Sequence, residues 1–460
     1  MNVKGKRVLV VGLGKSGVAS SLFLQGRGAK VTVSDAKAEE QLRNEIPALL
    51  DKGIAVETGK HGERTFRDQD LIVVSPGVPN DVPQLQNARR LGIPVIGEIE
   101  LAARYLEGHI VAITGSNGKT TTTTLTGEVI AAGGRKSLVG GNIGTPAITF
   151  VEQSSPETWV VLEISSFQLE TIETFRPHIS AVLNVTPDHL DRHGSMDNYI
   201  SAKARIFENQ SDSDFAVLNA DDSTCVRMAN GIKPRVYWFS RRHEVERGAF
   251  TANGRIFFRD ERGQRDIMSA DEMTLKGLHN LENVLAAVTM GSVAGIEPAA
   301  IRQAVKDFKA VEHRLEYVTT IRGVQYFNDS KATNVDATIK ALESFPGRIH
   351  IILGGKDKGS DYTVLNDLLR ERVKRVYTIG AAASKIESQI AGGVDIVSAG
   401  TLESAVKKAA EAAESGDVVL LAPACASFDQ FQSYEQRGRV FKEAVHQLAA
   451  REAAVPGGRE

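Results

Sequence analysis

The chain has 460 residues, of which 42% are hydrophobic and 24% are charged, and its formal net charge is −2. At about 150 residues per domain this length predicts roughly three domains, and the composition is typical of a soluble globular protein. Because the charges nearly balance, they create no overall field that would attract nucleic acid or an anionic membrane. The two cysteines provide neither a disulfide framework nor a zinc site. No segment reaches the roughly 18 consecutive apolar residues of a membrane span, so we expect a cytoplasmic protein.

The first segment has strand and helix patterns around a glycine-rich turn. The run Arg7–Val11 predicts a buried strand, followed by the turn Gly12–Gly17, a helix, and a second strand, Lys30–Ser34, which ends at Asp35. This order is typical of domains that bind a pyrophosphate at the turn and a ribose or imide N–H at the acid. NAD and a UDP-sugar both have these groups, and the glycines and Asp35 can also serve packing and surface charge alone. Because an ATP loop follows later in the chain, we favour a UDP-sugar.

The first segment continues to a third strand and a connecting helix. Leu71–Ser75 is apolar and leads into Ser75-Pro76-Gly77, where the proline excludes a helix. Glu98–Tyr105 has the pattern of a helix that joins two domains. We expect the first domain to comprise residues 1–98.

A phosphate-binding loop follows the next predicted strand. His109–Thr114 is apolar, Gly115–Thr121 reads Gly-Ser-Asn-Gly-Lys-Thr-Thr, and Thr120–Ala132 has a helical pattern. In this context backbone N–H groups surround phosphate oxygens, Lys119 neutralises charge, and the hydroxyl that follows can reach Mg²⁺. Ile113 stands where the common phosphate loop has its first glycine, and a turn that binds nothing is the alternative. We expect this loop to bind ATP.

Polar residues follow two further strands of the middle segment. Trp159–Ile164 contains Glu163 at its carboxyl end, where the carboxylate can take Mg²⁺ beside the phosphate loop. Ile179–Val185 is followed by His189. A lone histidine is more often structural than catalytic, but a position just beyond a strand end favours function. The spacing around Lys203, by itself, favours a solvated surface lysine.

The middle segment ends with an antiparallel addition and a helix. Phe215–Asn219 predicts another strand, and Asn253-Gly254 between two apolar runs predicts a hairpin. Asn280–Ala294 reads as an amphipathic helix, which Asn280 can cap. Alternating strands and helices predict a mostly parallel sheet in a domain of residues 99–310.

The last segment, residues 311–460, brings lysines, hydroxyls and an aromatic ring to strand ends. Its predicted strands are Val324–Asn328, Arg348–Leu353, Arg375–Ile379 and Asp417–Pro423. Candidate ligand-binding residues follow three of these strands. Asp329, Lys331 and Thr333 follow the first strand, Lys358 follows the second, and Ser427, Phe428 and Tyr434 follow the last. Parallel strands deliver such side chains to one edge of a sheet, and buried carboxylates prefer charged donors. Each lysine alone can be a surface charge, but together they favour a small dicarboxylate as ligand.

The short Gly-x-x-Gly-Lys-Thr loop, with the segments Asn328–Asn334, Pro423–Phe431 and Glu435–Gly438, resembles the Mur ligase family. The similarity covers essentially the whole chain. It implies an α/β protein of three domains: an N-terminal Rossmann-like UDP-binding domain, a central ATP-binding domain with a mostly parallel sheet, and a C-terminal Rossmann-like amino-acid-binding domain. It also implies an ATP-dependent ligase of peptidoglycan precursor synthesis, which adds D-glutamate to UDP-N-acetylmuramoyl-L-alanine through an acyl phosphate.

The resemblance also implies roles for individual residues. The implied catalytic residues are Lys119, His189, Lys203 and Asp329. ATP is assigned to Gly115, Ser116, Asn117, Gly118, Lys119, Thr120, Thr121, Asn280, Asn283, Arg314, Asp329 and Lys331. The UDP-linked substrate is assigned to Gly14, Lys15, Ser16, Asp35, Ser75, Gly77, Asn142, Ser165, Gln168 and His189. D-glutamate is assigned to Lys331, Thr333, Lys358, Ser427, Phe428 and Tyr434. Two Mg²⁺ ions are assigned to Thr120, Glu163, His189 and a carbamylated Lys203.

One departure from the family pattern concerns the uracil end of the substrate. Family members often have Thr-Arg after the acid that matches Asp35, whereas this chain has Ala36-Lys37. The alternatives are another ATP-dependent amino-acid ligase of the same superfamily, a partner-binding phosphate-loop ATPase, and an NAD-dependent oxidoreductase. The oxidoreductase leaves the ATP loop without a role. We expect a monomer whose partners are ATP, the UDP-linked substrate and D-glutamate, without nucleic acid or membrane.

Overall fold

The computed structural model describes residues 1–275, 277–309, 312–390 and 392–454. These residues form two compact units. The first unit contains Met1–Val185, Asp197–Met273 and Glu282–Asp307, and the second contains the described residues of Thr186–Met196, Thr274–Leu281 and Phe308–Glu460. Each unit is described by itself below.

The first unit begins with a five-stranded parallel sheet in the order β3-β2-β1-β4-β5. Its strands are β1 (Arg7–Val11), β2 (Lys30–Ser34), β3 (Ala55–Glu57), β4 (Leu71–Val74) and β5 (Val95–Gly97). Its helices are α1 (Lys15–Gly26), α2 (Ile46–Leu50), α3 (Glu63–Arg67), α4 (Pro83–Arg90) and α5 (Glu98–Ala103), with a 3-10 turn at Glu39–Gln41. The strand order reverses direction at β1, so ligand-binding loops are expected beyond the carboxyl ends of β1 and β4.

The first unit also contains a nine-stranded sheet in the order β14-β13-β12-β11-β10-β9-β6-β8-β7. Its strands are β6 (His109–Thr114), β7 (Ser137–Gly141), β8 (Trp159–Glu163), β9 (Ile179–Val182), β10 (Phe215–Asn219), β11 (Arg235–Ser240), β12 (Gly248–Ala252), β13 (Arg255–Asp260) and β14 (Gly263–Ser269). Only the pairs β12–β13 and β13–β14 are antiparallel. The predicted hairpin at Asn253-Gly254 is the turn between β12 and β13.

The helices between these strands vary widely in length. Along the chain they are α6 (Lys119–Ala132), α7 (Ser166–Leu169), α8 (Leu190–His193), α9 (Met196–Ala204), α10 (Ser223–Met228), α11 (Leu278–Val293) and α12 (Pro298–Asp307), with 3-10 turns at Ala147–Gln153, Arg205–Phe207 and Ala270–Glu272. Of these, α8 and the first residues of α11 belong to the second unit. The neighbouring strands β6 and β8 are almost entirely buried and consist mainly of apolar residues, as expected for strands that are covered on both faces.

The second unit is built on a six-stranded sheet in the order β15-β16-β20-β17-β18-β19, parallel except for β15–β16. Its strands are β15 (Glu316–Ile321), β16 (Val324–Asn328), β17 (Ile349–Gly354), β18 (Val373–Ile379), β19 (Asp395–Gly400) and β20 (Val418–Leu421). Its remaining helices are α13 (Val335–Glu343), α14 (Asn366–Arg372), α15 (Ala383–Ile390), α16 (Leu402–Ala412) and α17 (Tyr434–Ala454), with a 3-10 turn at Thr363–Leu365. Two apolar clusters pack against its faces.

The three sheets confirm the predicted α/β class, and most element positions agree with the sequence patterns. The predicted strand Ile179–Val185 is an exception, because it ends at Val182. The predicted domain boundary at residues 310 and 311 falls outside the described residues, and the ranges 1–98, 99–310 and 311–460 stay a prediction. Among the described residues, we found no helix with the length and apolar character required to cross a bilayer.

Two buried glutamates of α5 tie the five-stranded sheet to later parts of the first unit. Glu98 Oε1 accepts a hydrogen bond from the Ile148 N–H at 2.8 Å. Glu100 accepts from the N–H groups of Glu173, Thr174 and Phe175 and pairs with Arg104. Burial raises the pKa of Glu98 to about 7, and the N–H donors offset this only in part. For Glu100 the hydrogen bonds outweigh burial, and its pKa is lowered.

Because the pKa of Glu98 is raised in the folded chain, we expect the stability of the protein to depend on pH. The folded pKa of about 7 lies above the ordinary value of 4.5, so the folded chain binds more protons and the free energy of unfolding falls as pH rises from about 4.5 to 7. At 1.36 kcal/mol per pKa unit, we expect the titration of this carboxyl to lower the free energy of unfolding by about 2 to 3 kcal/mol between about pH 5 and pH 8. Urea unfolding of the wild type and Glu98→Gln at both pH values measures the effect, which the variant should lack. Glu100→Gln is the matched control, and equal pH slopes for wild type and Glu98→Gln would contradict the prediction.

Candidate active site

The phosphate loop lies between β6 and α6, in the strand–loop–helix arrangement that the sequence predicts. Gly118 precedes the first residue of α6 with φ +83°, a left-handed backbone conformation that favours glycine. Among the described residues no side chain caps α6. The N–H groups of the first turn of this 14-residue helix are thus not used by a capping side chain, and the amino-terminal end of a helix is a favourable position for a phosphate.

The segment after β9 supports the phosphate loop. Asn184 accepts the N–H of Ser116 on its backbone oxygen at 2.9 Å and the N–H of Asn117 on Oδ1 at 2.8 Å. Its Nδ2 donates to the backbone oxygen of Asn117 at 3.1 Å. This is why the predicted strand ends early: its last residues bond to the loop instead of continuing the ladder. Sequence reasoning gave Asn184 no such role, although its place at a strand end was a signal.

Two lysines converge on one carbonyl of this loop. Lys119 Nζ donates to the backbone oxygens of Gly115 at 2.9 Å and Ser116 at 2.8 Å. Lys203 Nζ donates to the same Gly115 oxygen at 2.9 Å. The two predicted residues are thus brought together at the point where the charge of a bound phosphate would need compensation.

Lys203 is not the surface lysine that its spacing favours. Its side chain is 1% exposed, and Nζ lies 4.4 Å from the centre of the Tyr199 ring. The Tyr199 hydroxyl in turn lies 3.1 Å from Ser116 Oγ. The helix α9 therefore delivers a buried amine to the phosphate loop, which spacing alone did not reveal because it does not show which face of α9 is covered.

A buried carboxylate stands next to the loop hydroxyl. Glu163, at the end of β8, is 2% exposed and accepts from Thr120 Oγ1 at 2.7 Å on Oε2 and from Asn142 Nδ2 at 2.8 Å on Oε1. Carboxylate, hydroxyl and amide oxygens are the donors that Mg²⁺ prefers. The residues that the sequence predicts for Mg²⁺ therefore fit the ion chemically.

The two asparagines predicted for adenine lie in different units. Asn283 Oδ1 accepts from Thr122 Oγ1 at 3.3 Å, beside the phosphate loop. Asn280 lies in the first turn of α11, which begins at Leu278, so it is not the capping residue. Nearby in the second unit, burial lowers the pKa of His279 to about 3, with contributions from Arg314 and Lys340.

The glycine-rich turn of the first sheet is braced by Asp35. Asp35 Oδ2 accepts the Leu13 N–H at 2.7 Å, and Oδ1 accepts the Lys37 N–H at 2.8 Å. A Cβ on Gly17 would lie 1.8 Å from the Gly12 oxygen, so the turn requires glycine there. Asp35 is 9% exposed and is thus more than a surface charge. Lys15 and Ser16 are the first two residues of α1.

Residues from two further strand ends border this region. Ser75 Oγ, after β4, donates to the Gly12 oxygen at 2.9 Å, and Gly77 follows in an exposed turn. After β8, Ser165 caps α7: the Gln168 N–H donates to Ser165 Oγ, and Gln168 Oε1 accepts the Ser165 N–H at 2.9 Å. Ser75 and Gln168 line the same small cavity.

In the second unit, Asp329 follows β16 and is 4% exposed. Burial raises the pKa of Asp329 to about 6, although Arg314 and Lys331 act in the opposite direction. Asp329 Oδ1 and Arg314 Nε are buried atoms without a hydrogen-bond partner among the described residues. Buried polar atoms of this kind are rare unless a ligand or water pairs with them.

A buried arginine bonds to the loops that carry most of the residues predicted to bind D-glutamate. Arg437 is 0% exposed and donates to the oxygens of Ser330 at 2.7 Å and Cys425 at 3.1 Å, and burial lowers its pKa to about 10. Lys331 Nζ lies 5.1 Å from the centre of the Tyr434 ring. The residues Thr333, Ser427 and Phe428 lie on the same loops. Sequence reasoning noted the segment of Arg437 only as a family motif.

His189 and Lys358 line one cavity of about 500 Å³ in the second unit. Asp188 contacts both of them: its Oδ1 accepts from Lys358 Nζ at 3.2 Å, and its Oδ2 lies 3.6 Å from His189 Nε2. Asp188 Oδ2 also accepts from Asn334 Nδ2 at 3.0 Å. A cavity of this size is large enough for a small-molecule ligand. Because Glu163 and Lys203 belong to the first unit, the predicted association of His189 with them stays a prediction.

Three family models match the chain. Residues 6–97 match "Mur ligase MurD-like, N-terminal domain", residues 113–291 match "Mur ligase middle domain", and residues 313–425 match "Mur ligase, glutamate ligase domain". A protein of Koribacter versatilis, named UDP-N-acetylmuramoylalanine--D-glutamate ligase, is 68% identical over 98% of this chain and 100% of its own length. One of the same name from Acidobacterium capsulatum is 59% identical, with 99% of each chain covered. The chain belongs to the Mur ligase family.

Solved Mur ligase structures share the fold at low identity. A pseudomurein peptide ligase type C from Methanothermus fervidus has a TM-score of 0.62 at 19% identity, with 96% of this chain and 100% of that chain covered. The UDP-N-acetylmuramate-alanine ligase MurC from Thermotoga maritima has a TM-score of 0.60 at 19% identity, with the same coverage. The predicted family and fold are thus confirmed. Mur ligases use ATP and Mg²⁺, which agrees with the phosphate loop and with the oxygen donors beside it.

Proposed function

We propose that this Mur ligase adds D-glutamate to UDP-N-acetylmuramoyl-L-alanine with conversion of ATP to ADP and phosphate, in the synthesis of peptidoglycan precursors. The observation that carries the proposal is a phosphate loop between a strand and a helix, in a chain of which 98% to 99% matches relatives named for this reaction. The predicted cytoplasmic location and monomeric state stay predictions.

The proposed reaction has two steps. A carboxylate oxygen of the muramoyl-alanine attacks the γ-phosphorus of ATP, the bond to ADP breaks, and an acyl phosphate forms. The D-glutamate amine then attacks the acyl carbon, phosphate leaves, and the amine loses a proton. Activation is needed because a free carboxylate has a poor leaving group. Phosphoryl transfer depends mainly on positioning and on compensation of negative charge.

The residues of the phosphate loop have the first role in this scheme. Lys119, whose amine lies over the loop carbonyls, compensates phosphate charge, and Gly115–Thr121 binds ATP with its N–H groups. Thr120 and Glu163 would hold Mg²⁺, which supplies further charge compensation to the phosphates. Asn280, Asn283 and Arg314 are proposed to contact the nucleotide.

Lys203 is proposed to be carbamylated. Its uncharged amine would attack CO₂, form an N–C bond and lose a proton to water, which leaves an anion. Supporting this, the amine is buried beside the loop, and burial removes the water that stabilises an ammonium ion. The carbamate and His189 would hold the second Mg²⁺.

The remaining assignments concern the other two substrates. We propose that the UDP-linked substrate is bound by Gly14, Lys15, Ser16, Asp35, Ser75, Gly77, Asn142, Ser165, Gln168 and His189. We propose that D-glutamate is bound by Lys331, Thr333, Lys358, Ser427, Phe428 and Tyr434. Asp329, with Lys331, is proposed to act near the ATP phosphates. Asp329 Oδ1, which is buried and has no hydrogen-bond partner among the described residues, supports this.

Phosphate release measures the proposed function directly. With ATP, Mg²⁺ and UDP-N-acetylmuramoyl-L-alanine, we expect D-glutamate to stimulate release at least about tenfold over L-glutamate, since the pocket must orient one enantiomer's amine toward the acyl carbon. Borohydride should reduce the acyl phosphate to an alcohol with release of phosphate, and UDP-N-acetylmuramoyl-L-alanine labelled in its alanyl group should then yield that labelled alcohol only when ATP is present. Equal rates without the amino acid would indicate a simple ATPase, and preference for another amino acid would indicate a different ligase.

A further inference from the structure

The side-chain amide of Gln168 has a defined orientation. Its Oε1 faces the Ser165 N–H and Oγ, each at 2.9 Å. Because a backbone N–H can only donate, the atom that faces it must be the amide oxygen. The Nε2 group therefore points away from Ser165, where it is buried and has no hydrogen-bond partner among the described residues.

A second unpaired atom belongs to Glu98. Its Oε1 accepts the Ile148 N–H, but Oε2 is buried without a partner among the described residues. Glu98 is 1% exposed and Gln168 is 3% exposed. Both residues line one small cavity, whose walls also include Ser75 and Thr171. A buried donor and a buried acceptor at one cavity indicate that something polar lies between them.

The size and polarity of this cavity suit a water molecule. The space open to the centre of a water molecule is about 10 Å³, which is close to the minimum for one water. The Ser75 hydroxyl donates to the backbone oxygen of Gly12 at 2.9 Å, and the Thr171 hydroxyl donates to the backbone oxygen of Gln168 at 3.1 Å. Both hydroxyl oxygens can still accept a hydrogen bond from a water molecule. With Gln168 Nε2 as donor and Glu98 Oε2 as acceptor, the water has the two to four partners that a buried water requires.

We propose that one water molecule occupies this cavity and bridges Gln168 to Glu98, and that Glu98 is thereby a positioning residue for the UDP-linked substrate. This inference rests on the proposed function, in which Gln168 and Ser75 contact that substrate. The amide of Gln168 is held by Ser165 on one side and by the water on the other, so its orientation is set before the substrate arrives. Glu98 itself is held by the Ile148 N–H, in the segment that follows Asn142.

Three variants separate positioning from stability. Glu98→Leu has a similar volume but no polar atom for the water, whereas Glu98→Gln keeps an acceptor for the Ile148 N–H and a polar atom in the cavity. Glu100→Leu is the matched control, because Glu100 is equally buried on the same helix but bonds to Glu173–Phe175. We expect Glu98→Leu to raise the KM for UDP-N-acetylmuramoyl-L-alanine about tenfold, with kcat and the KM for ATP and D-glutamate within about twofold. Glu98→Gln should restore the wild-type KM, and Glu100→Leu should lower the melting temperature without raising that KM.

Two outcomes would overturn the inference. One is a high-resolution crystal structure of the wild type without solvent density between Glu98 and Gln168, which decides the matter even if Glu98→Leu does not fold. The other is equal changes of KM for all three substrates, or none, in Glu98→Leu. Calorimetric titration with UDP-N-acetylmuramoyl-L-alanine makes the same comparison without turnover. If the wild type binds this compound but does not release phosphate with D-glutamate, the proposed function fails. The crystal structure still tests whether the water is present, and the titration still tests whether Glu98 affects binding of this compound.

Discussion

Replacing Lys119 by methionine is expected to lower kcat/KM by at least about 10³-fold. Methionine has a similar length but no charge, so the variant loses the bonds to Gly115 and Ser116 and the positive charge at the phosphates. Electrostatic groups that act on a transferring phosphoryl group contribute effects of this size, about 10²- to 10³-fold or more for one donor. Phosphate release over a range of substrate concentrations, with circular dichroism to verify folding, measures the loss in kcat/KM.

Lys136→Met is the matched control for this experiment. Lys136 lies in the same unit, and its Nζ donates to the Gln153 oxygen away from the phosphate loop. Its replacement should leave activity within about twofold, as surface changes usually do. A Lys119→Met enzyme with more than about a tenth of wild-type activity would show that this amine does not neutralise the reacting phosphate.

Replacing Lys203 by alanine is expected to abolish activity, and added short carboxylic acids are expected to restore part of it. The buried amine beside Gly115 would carry a carbamate, and its removal leaves a space in which a small carboxylate can supply the same negative oxygens. We expect a loss of at least about 10³-fold, because a metal ligand and its charge are removed together. Phosphate release with and without acetate or propionate measures both effects.

Lys203→Arg tests whether a positive charge is sufficient. Arginine stays charged and cannot be carbamylated, so this variant should be as inactive as Lys203→Ala. Nuclear magnetic resonance with isotopically labelled bicarbonate should show a carbamate signal in the wild type that both variants lack. An active Lys203→Arg enzyme, or a Lys203→Ala enzyme as active as wild type, would remove the carbamate from the mechanism.

The sequence predicts most of the fold because parallel sheets leave a strong pattern. Strands buried on both faces are mainly apolar runs, as in Arg7–Val11 and Trp159–Glu163, and a glycine-rich turn follows the first of these two. Short or partly exposed strands were missed, including Ala55–Glu57 and Asp395–Gly400, since their mixed patterns resemble loops. Boundaries depend on partners elsewhere in the chain, and the early end of β9 at Val182 is caused by bonds to the phosphate loop.

The sequence predicted those residues of the candidate site that lie at or just after the ends of predicted strands. The pair of Thr120 and Glu163 follows from two strand ends in one parallel sheet, and the structure places their oxygens 2.7 Å apart. Residues that act through distant partners gave no local signal. Arg437 bonds to Ser330, 107 positions earlier, so its role depends on a contact that sequence spacing does not encode.

From its sequence alone, this chain was determined to be a three-domain α/β protein with a phosphate loop and Mur ligase motifs, because strand runs, glycine turns and the order Gly-Lys-Thr are local properties. Only the tertiary structure decided that Lys203 is buried, that Asp35 braces a turn, and that Glu98 and Gln168 share a cavity. The physical reason is that burial and hydrogen-bond satisfaction depend on residues far apart in the chain, whereas periodicity and turn chemistry depend on neighbours.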